Sequence, residues 1–181
     1  MDARFNRNTF LIRKKIFKIL GAAFHVYDEA GNILFYSKQK AFKLKEDIRL
    51  YEGDQMVEEL LLIQARQVID FSAAYDVIDS KTNEKVGALK RKGLKSILKD
   101  EWIIMDNVDR EIGFIKEDSM GLALIRRFLS NLVPQTYNAE INGRQVAIYK
   151  QNFNPFVLKI TVDFSFDAEK QFDRRLGIAA G

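Results

Sequence analysis

The feature that most limits what this chain can fold into is a two-strand unit that occurs four times. Each unit is an apolar run led by an aromatic residue, a turn rich in Asp, Asn or Gly, and an aliphatic run. The units begin at Phe24, Tyr75, Trp102 and Tyr137. Aromatic and β-branched residues favour a pleated, half-buried strand, and Asp, Asn and Gly favour tight turns. The pattern therefore predicts four antiparallel hairpins in a mainly β chain.

Four further segments have strand character, which brings the predicted number of strands to about twelve. These segments are residues 10–19, 47–51, 57–66 and 158–164. The last belongs to a strict alternation whose apolar members are Phe156, Leu158, Ile160, Val162, Phe164 and Phe166. Because side chains alternate between the two faces of a strand, we expect these apolar residues to face a core.

Two helices are predicted besides the strands. The first is expected on the surface, capped by Ser119 and ending near Leu132, with one apolar stripe. The second is predicted over residues 167–181, with Asp167 as its cap. Its apolar character rises along the chain through Leu176 and Ile178. A helix of this kind requires burial around most of its surface.

The composition excludes several classes of protein. The 181 residues include no cysteine and one histidine, His25, so disulfides, thiolate nucleophiles and sites with several histidines are ruled out. No apolar run approaches the roughly 20 residues of a membrane-spanning helix. Basic residues interrupt the first 20 positions, which is not typical of a secretory signal. We expect one domain over residues 1–181, located in the cytoplasm.

Three late motifs resemble the tubby C-terminal-like superfamily, in its scramblase-like branch with the LURP-one-related proteins. They are NPFVLK at residues 154–159, VDFSFD at 162–167 and FDRRL at 172–176. The hairpins and the first helix occur in the same order as in that superfamily. The resemblance implies a closed antiparallel barrel of about twelve strands around a central hydrophobic C-terminal helix. Because the family's helix is longer than the segment after Arg175 in this chain, we expect a truncated helix.

No pattern in the chain predicts an active site, a cofactor or a metal site. His25 lies inside a predicted strand, where a hydrogen-bonded structural histidine is the expected role. Related scramblases contain a calcium-binding segment, and this region offers Asp163, Asp167, Glu169 and Asp173. Residues 163–169 contain no glycine to form the loop that calcium sites generally use. We therefore expect Asp167 to cap a helix and Asp173 to pair with nearby arginines.

Clusters of basic residues are the strongest functional signal. The residues selected as candidate ligands of an anionic headgroup are Lys90, Arg91, Lys92, Lys95, Lys38 and Lys40. Tubby domains bind phosphoinositide headgroups through lysine and arginine, so the resemblance implies an anionic lipid. Each basic side chain near an anionic bilayer contributes about 1 kcal/mol. The alternative is that these charges only solvate the barrel exterior and protect strand edges.

The sequence favours a non-enzymatic binding domain for anionic phospholipid headgroups or a phosphorylated ligand, peripheral at the membrane. A protein–protein interaction module is the alternative. Nucleic-acid binding is not expected, since the aromatic residues occupy core-like positions and no recognition signature is present. Lipid scrambling is not expected either, because the chain offers no membrane span.

Overall fold

The structure, a computed structural model, describes residues 2–17, 21–39, 47–66, 74–92, 101–118, 135–152 and 157–181. Twelve antiparallel strands in these ranges form a closed barrel. Each strand pairs with its neighbours in chain order, and the first strand pairs with the twelfth. Closure of this kind removes the exposed sheet edge that an open sheet would present.

The strand bounds confirm the predicted elements. In chain order the strands are β1 Thr9–Phe17, β2 Gly21–Tyr27, β3 Ile33–Gln39, β4 Asp47–Glu52, β5 Glu59–Ala65, β6 Ala74–Asp79, β7 Glu84–Arg91, β8 Glu101–Met105, β9 Glu111–Glu117, β10 Thr136–Ile141, β11 Arg144–Asn152 and β12 Leu158–Asp163. The four predicted hairpins are β2–β3, β6–β7, β8–β9 and β10–β11. A 3₁₀ turn at Ala3–Phe5 precedes β1.

Local residue chemistry explains the tightest turn. Asn142 and Gly143 connect β10 to β11 and have φ angles of 51° and 75°. A two-residue turn of type I′ needs positive φ at both positions, which Asn and Gly tolerate best. The hairpin is therefore set by the same Asn-Gly pair that predicts it from the sequence.

The C-terminal helix, α1, is shorter than predicted and begins later. It spans Arg174–Ala179, and the carboxylate of its N-cap residue Asp173 accepts a hydrogen bond from the backbone N–H of Arg175 at 2.9 Å. The predicted start at Asp167 is wrong. The Asp167 carboxylate instead accepts from the backbone N–H groups of Gln171 and Phe172, so it closes a turn that precedes the helix.

A helix through the centre of the barrel is not confirmed. α1 has six residues and packs at the edge, against β6 and β7. Its Leu176 and Ile178 are buried, and the Tyr149 hydroxyl donates a hydrogen bond to the Gly177 carbonyl at 2.8 Å. The helix is therefore anchored to the barrel by apolar packing and by a hydrogen bond from β11.

The segment between β12 and α1 is held by a buried ion pair. Arg174 Nη1 lies 2.6 Å from Asp167 Oδ2, and the two side chains are only 6% and 2% exposed. The guanidinium also lies over the ring of Phe164, 4.4 Å from its centroid. A charge buried this deeply needs its partner, since an unpaired buried charge is costly.

Two predictions about the late apolar residues have different outcomes. Phe164 is fully buried, as predicted, but Phe166 is 50% exposed. The expectation for Phe166 is wrong because β12 ends at Asp163, where the Asp163 carboxylate accepts from the backbone N–H of Ser165 and turns the chain away from the sheet. Phe156 and the predicted helix at residues 119–132 lie outside the described residues.

Candidate anion-binding face

The structure does not bring together the predicted headgroup ligands that lie in its described ranges. Lys40 and Lys95 lie outside the described residues. Lys38 is on β3, whereas Lys90 and Arg91 are on β7 and Lys92 comes directly after it. Strands β4, β5 and β6 separate β3 from β7 in the barrel. Lys38 and the residues at 90–92 therefore belong to different parts of the barrel wall.

The triplet at residues 90–92 is also divided between two faces. Arg91 is the register partner of Trp102, whose side chain lines the barrel interior. Since consecutive residues of a strand point to opposite faces, Arg91 lies on the inner side and its neighbours on the outer side. Lys92 Nζ is 2.6 Å from a carboxylate oxygen of Glu101. The triplet consequently does not form a single basic patch.

Lys38 instead joins basic residues from β1 and β12 on the outer surface. One row of register partners runs across four strands through Lys159, Arg13, His25 and Tyr36. The adjacent row contains Lys15, Ala23 and Lys38. Side chains directly opposite each other on neighbouring strands have Cβ atoms about 4.5–5.5 Å apart. We call the set Arg13, Lys15, Lys38, Lys159 and His25 the basic face.

The alternation of each strand assigns the basic face to the outside of the barrel. Ile12, Phe24, Ser37 and Ile160 line the interior on the same four strands. Each basic-face residue is an odd number of positions from the interior residue on its own strand. Period-two alternation therefore directs the basic side chains outward. Ala23 lies between Lys15 and Lys38 in its row and is buried.

The cations of the basic face lack acidic partners among the described residues. Within that part of the chain, no ion pair involves Arg13, Lys15, Lys38 or Lys159. Two nitrogen atoms of the face, Arg13 Nε and His25 Nδ1, are buried and have no hydrogen-bond partner there. Buried polar groups are normally paired, so these two nitrogen atoms are an exception within the described residues.

The positive charges of the basic face affect the pKa of His25. Its side chain stacks on Tyr27 and meets Tyr36 edge-on, and the residue is only 9% exposed. Burial lowers the pKa of the imidazole, and the positive charges of Lys15 and Arg13 lower it further, while Asp54 opposes them. The expectation of a hydrogen-bonded histidine is not met at Nδ1 within the described residues. Burial and the two nearby cations therefore favour the neutral form of the imidazole.

The lowered pKa of His25 gives a prediction about stability and pH. The unfolded chain takes up a proton near the ordinary histidine pKa of 6.5, whereas the folded chain does so only at lower pH. The unfolded state therefore binds more protons in this window, and the folding stability should fall as the pH drops below about 6.5. Denaturant unfolding at several pH values measures the slope.

The control for this slope is His25→Phe, which keeps a ring between the two tyrosines but cannot titrate. We expect the free energy of unfolding of the variant to depend less on pH in the range between the ordinary and the folded pKa of the histidine. An identical slope in both proteins would show that His25 titrates freely in the folded state and that the positive potential is absent.

Sequence reasoning missed Arg13, Lys15 and Lys159. Arg13 and Lys15 are spaced two apart in a predicted strand, which directs both to one face. Their proximity to Lys38 and Lys159 depends on the pairing of β1 with β2 and β12, and no local pattern in the sequence specifies that register.

The carboxylates considered for calcium have other partners. The carboxylate of Asp163 accepts from Ser165, Glu169 pairs with Arg144, and Asp173 pairs with Arg175, which confirms the predicted arginine partner. The described residues contain no group of three or more histidine or acidic side chains that could hold a metal ion. No helix in the described ranges is long and apolar enough to cross a bilayer.

The closed barrel of twelve antiparallel strands with a C-terminal helix matches the class of tubby C-terminal-like domains. A profile of the LURP-one-related family matches residues 8–179, which is nearly the whole chain. The protein belongs to the LURP-one-related family, a member of the tubby C-terminal-like superfamily. The resemblance to this family and superfamily seen in the sequence is confirmed. No curated protein and no solved structure matches the chain.

Proposed function

We propose that the protein is a non-enzymatic module that binds the phosphate group of an anionic lipid at the basic face. The observation that carries this proposal is the set of four cations without ion-pair partners in the described residues, arranged around the buried Nδ1 of His25. A phosphate group matches this chemistry, because the planar guanidinium of arginine binds two phosphate oxygens and lysine adds a mobile point charge.

The expected strength is that of a reversible, peripheral interaction. Each basic side chain near an anionic bilayer contributes about 1 kcal/mol. The four cations together therefore supply about 4 kcal/mol, which corresponds to a roughly thousandfold preference for the anionic surface. Because these charges are on the outer wall, salt should weaken the interaction.

The discriminating experiment compares two double variants with equal changes in charge. Lys15→Gln with Lys38→Gln removes two cations of the basic face, and Lys90→Gln with Lys92→Gln removes two cations on the opposite side of the barrel. We expect the first pair to weaken binding to anionic vesicles by about thirtyfold, from about 1 kcal/mol per cation, and the second to change it little. Co-sedimentation with phosphatidylcholine vesicles, with and without phosphatidylglycerol, at two salt concentrations measures this.

Two outcomes would count against the proposal. Equal losses for the two double variants would indicate attraction to the net charge of the protein without a specific face. Equal binding to neutral and anionic vesicles would exclude the phosphate group as the feature recognised.

The only histidine of the chain distinguishes a lipid from a soluble phosphate compound. An anion at the basic face favours the protonated imidazole, so binding should raise the pKa of His25 in a proton NMR titration. The same rise with vesicles, but not with inorganic phosphate at millimolar concentration, identifies the lipid headgroup as the source. Saturation by inorganic phosphate alone would identify a soluble phosphorylated ligand instead.

A further inference from the structure

A cavity of about 550 Å³ occupies part of the barrel interior next to the end of α1. Its wall is mainly aliphatic and aromatic, and it includes Ile12, Phe24, Ser37, Ile115, Leu158 and Ala179. Ligand pockets of folded proteins generally measure about 300–1,000 Å³. Eight strands suffice to enclose one small ligand in a barrel, and twelve strands enclose a wider interior.

An inward-facing row of register partners borders one side of the cavity. Leu158, Phe24 and Ser37 of this row line the cavity, whereas Lys14 lies between two of them without lining it. The row runs through Leu158, Lys14, Phe24 and Ser37 on strands β12, β1, β2 and β3. Lys14 Nζ lies 5.3 Å from the centroid of the Phe24 ring. No ion pair of Lys14 occurs among the residues that the structure describes. An inward-facing cation is therefore available beside an apolar cavity.

Ser37 is the second polar group of this row. It is 1% exposed and lines the cavity, and its Oγ atom has no hydrogen-bond partner in the described ranges. Leaving a buried hydroxyl unpaired costs about 1–3 kcal/mol. The hydroxyl is a donor as well as an acceptor, so a ligand oxygen would satisfy it.

We infer that the cavity binds one long-chain fatty carboxylate. The hydrocarbon chain fills the apolar cavity toward Ala179, and the carboxylate lies at the Phe24 ring. One carboxylate oxygen accepts from Lys14 Nζ and the other from the Ser37 hydroxyl. The strands that carry these two residues are both neighbours of β2, so their backbones are separated by about 10 Å, a distance that the long lysine side chain can reduce.

This site is separate from the basic face, although both use the same strands. Lys14 lies between Arg13 and Lys15 in sequence but points to the inside of the barrel, and Ser37 has the same relation to Lys38. A variant of one face therefore leaves the side chains of the other face in place. The two binding activities can be lost independently.

The test measures palmitate binding to the full, delipidated chain by isothermal titration, with methyl palmitate as the uncharged probe. We expect one palmitate per chain. Lys14→Gln should weaken palmitate binding by tenfold or more, since a hydrogen bond to a charged group is lost, and should leave methyl palmitate binding unchanged. Lys90→Gln removes an outward-facing lysine of β7 that belongs to neither proposed site. This control should leave the affinity for both probes unchanged.

A second variant tests the cavity itself. Ile115→Trp replaces an aliphatic side chain of the cavity wall with a bulkier indole ring. The variant should weaken the binding of palmitate and of methyl palmitate alike. Thermal unfolding shows whether each variant is folded. If Ile115→Trp does not fold, the comparison of Lys14→Gln with Lys90→Gln still decides the question. Absence of saturable palmitate binding by the folded protein, or equal losses for the Lys14 and Lys90 variants, would overturn the inference.

Discussion

Replacing Asp167 by asparagine is expected to lower the free energy of unfolding by about 3–5 kcal/mol, because it removes one charge of a buried ion pair. Arg174 would remain almost fully buried, with its guanidinium over Phe164 and no negative partner at 2.6 Å. The turn before α1 would also lose a strong acceptor for the backbone N–H groups of Gln171 and Phe172. Equilibrium unfolding in urea measures the change.

The matched control for this prediction is Glu169→Gln. Glu169 is two residues away and pairs with Arg144 at 2.8 Å, but both side chains are largely exposed. Exposed ion pairs contribute about 0–1 kcal/mol, so this variant should be nearly as stable as the original protein. Similar losses in the two variants would mean that burial does not determine the contribution of the Asp167 pair.

Replacing Phe164 by alanine should cost about 3–5 kcal/mol, since it leaves a cavity in the core. The Phe164 ring is fully buried and contacts the rings of Phe10 and Phe172, with centroids 6.0 and 5.8 Å away. It also carries the guanidinium of Arg174 on one side. The variant therefore weakens apolar packing and the ion pair together, and thermal or urea unfolding measures the loss.

Phe166→Ala removes the same side chain two positions further along the chain. Because Phe166 is half exposed, we expect a change within about 0.5 kcal/mol. Phe164 and Phe166 occupy equivalent positions in the alternating sequence pattern. Comparing the stabilities of the two alanine variants tests whether only Phe164 belongs to the core. A large loss in Phe166→Ala would show that this ring packs against the protein in solution.

The strands and hairpins were predictable because the information that specifies them is local. The turn at Asn142 and Gly143 and the aromatic starts of the hairpins are readable within a few residues. The end of β12 was not predictable in this way. Phe166 continues the alternation perfectly, but hydrogen bonds from Ser165 to the Asp163 carboxylate turn the chain first, and Asp167 then closes a turn that resembles a helix cap in sequence.

The candidate site was predictable only in part, because it depends on contacts between distant segments. Lys38 was identified from the sequence, but its basic neighbours come from β1 and β12. The three consecutive basic residues at 90–92 are conspicuous in the sequence. In a strand, however, consecutive side chains point to opposite faces, so the three charges are not on one surface. Charged residues form a patch on one face of a strand when they are spaced two positions apart, whereas consecutive charged residues can form a patch only where the chain is not a strand.

The pairing of β1 with β12 also bears on how the chain acquires its structure during synthesis. Thr9 is the register partner of Asp163, so the contact that closes the ring joins segments that are far apart in the sequence. Contacts between such distant segments form slowly, because a long stretch of chain must be ordered first. Until β12 leaves the ribosome, β1 presents a row of unsatisfied backbone groups, and a nascent chain with such an edge is exposed to aggregation and to capture by chaperones.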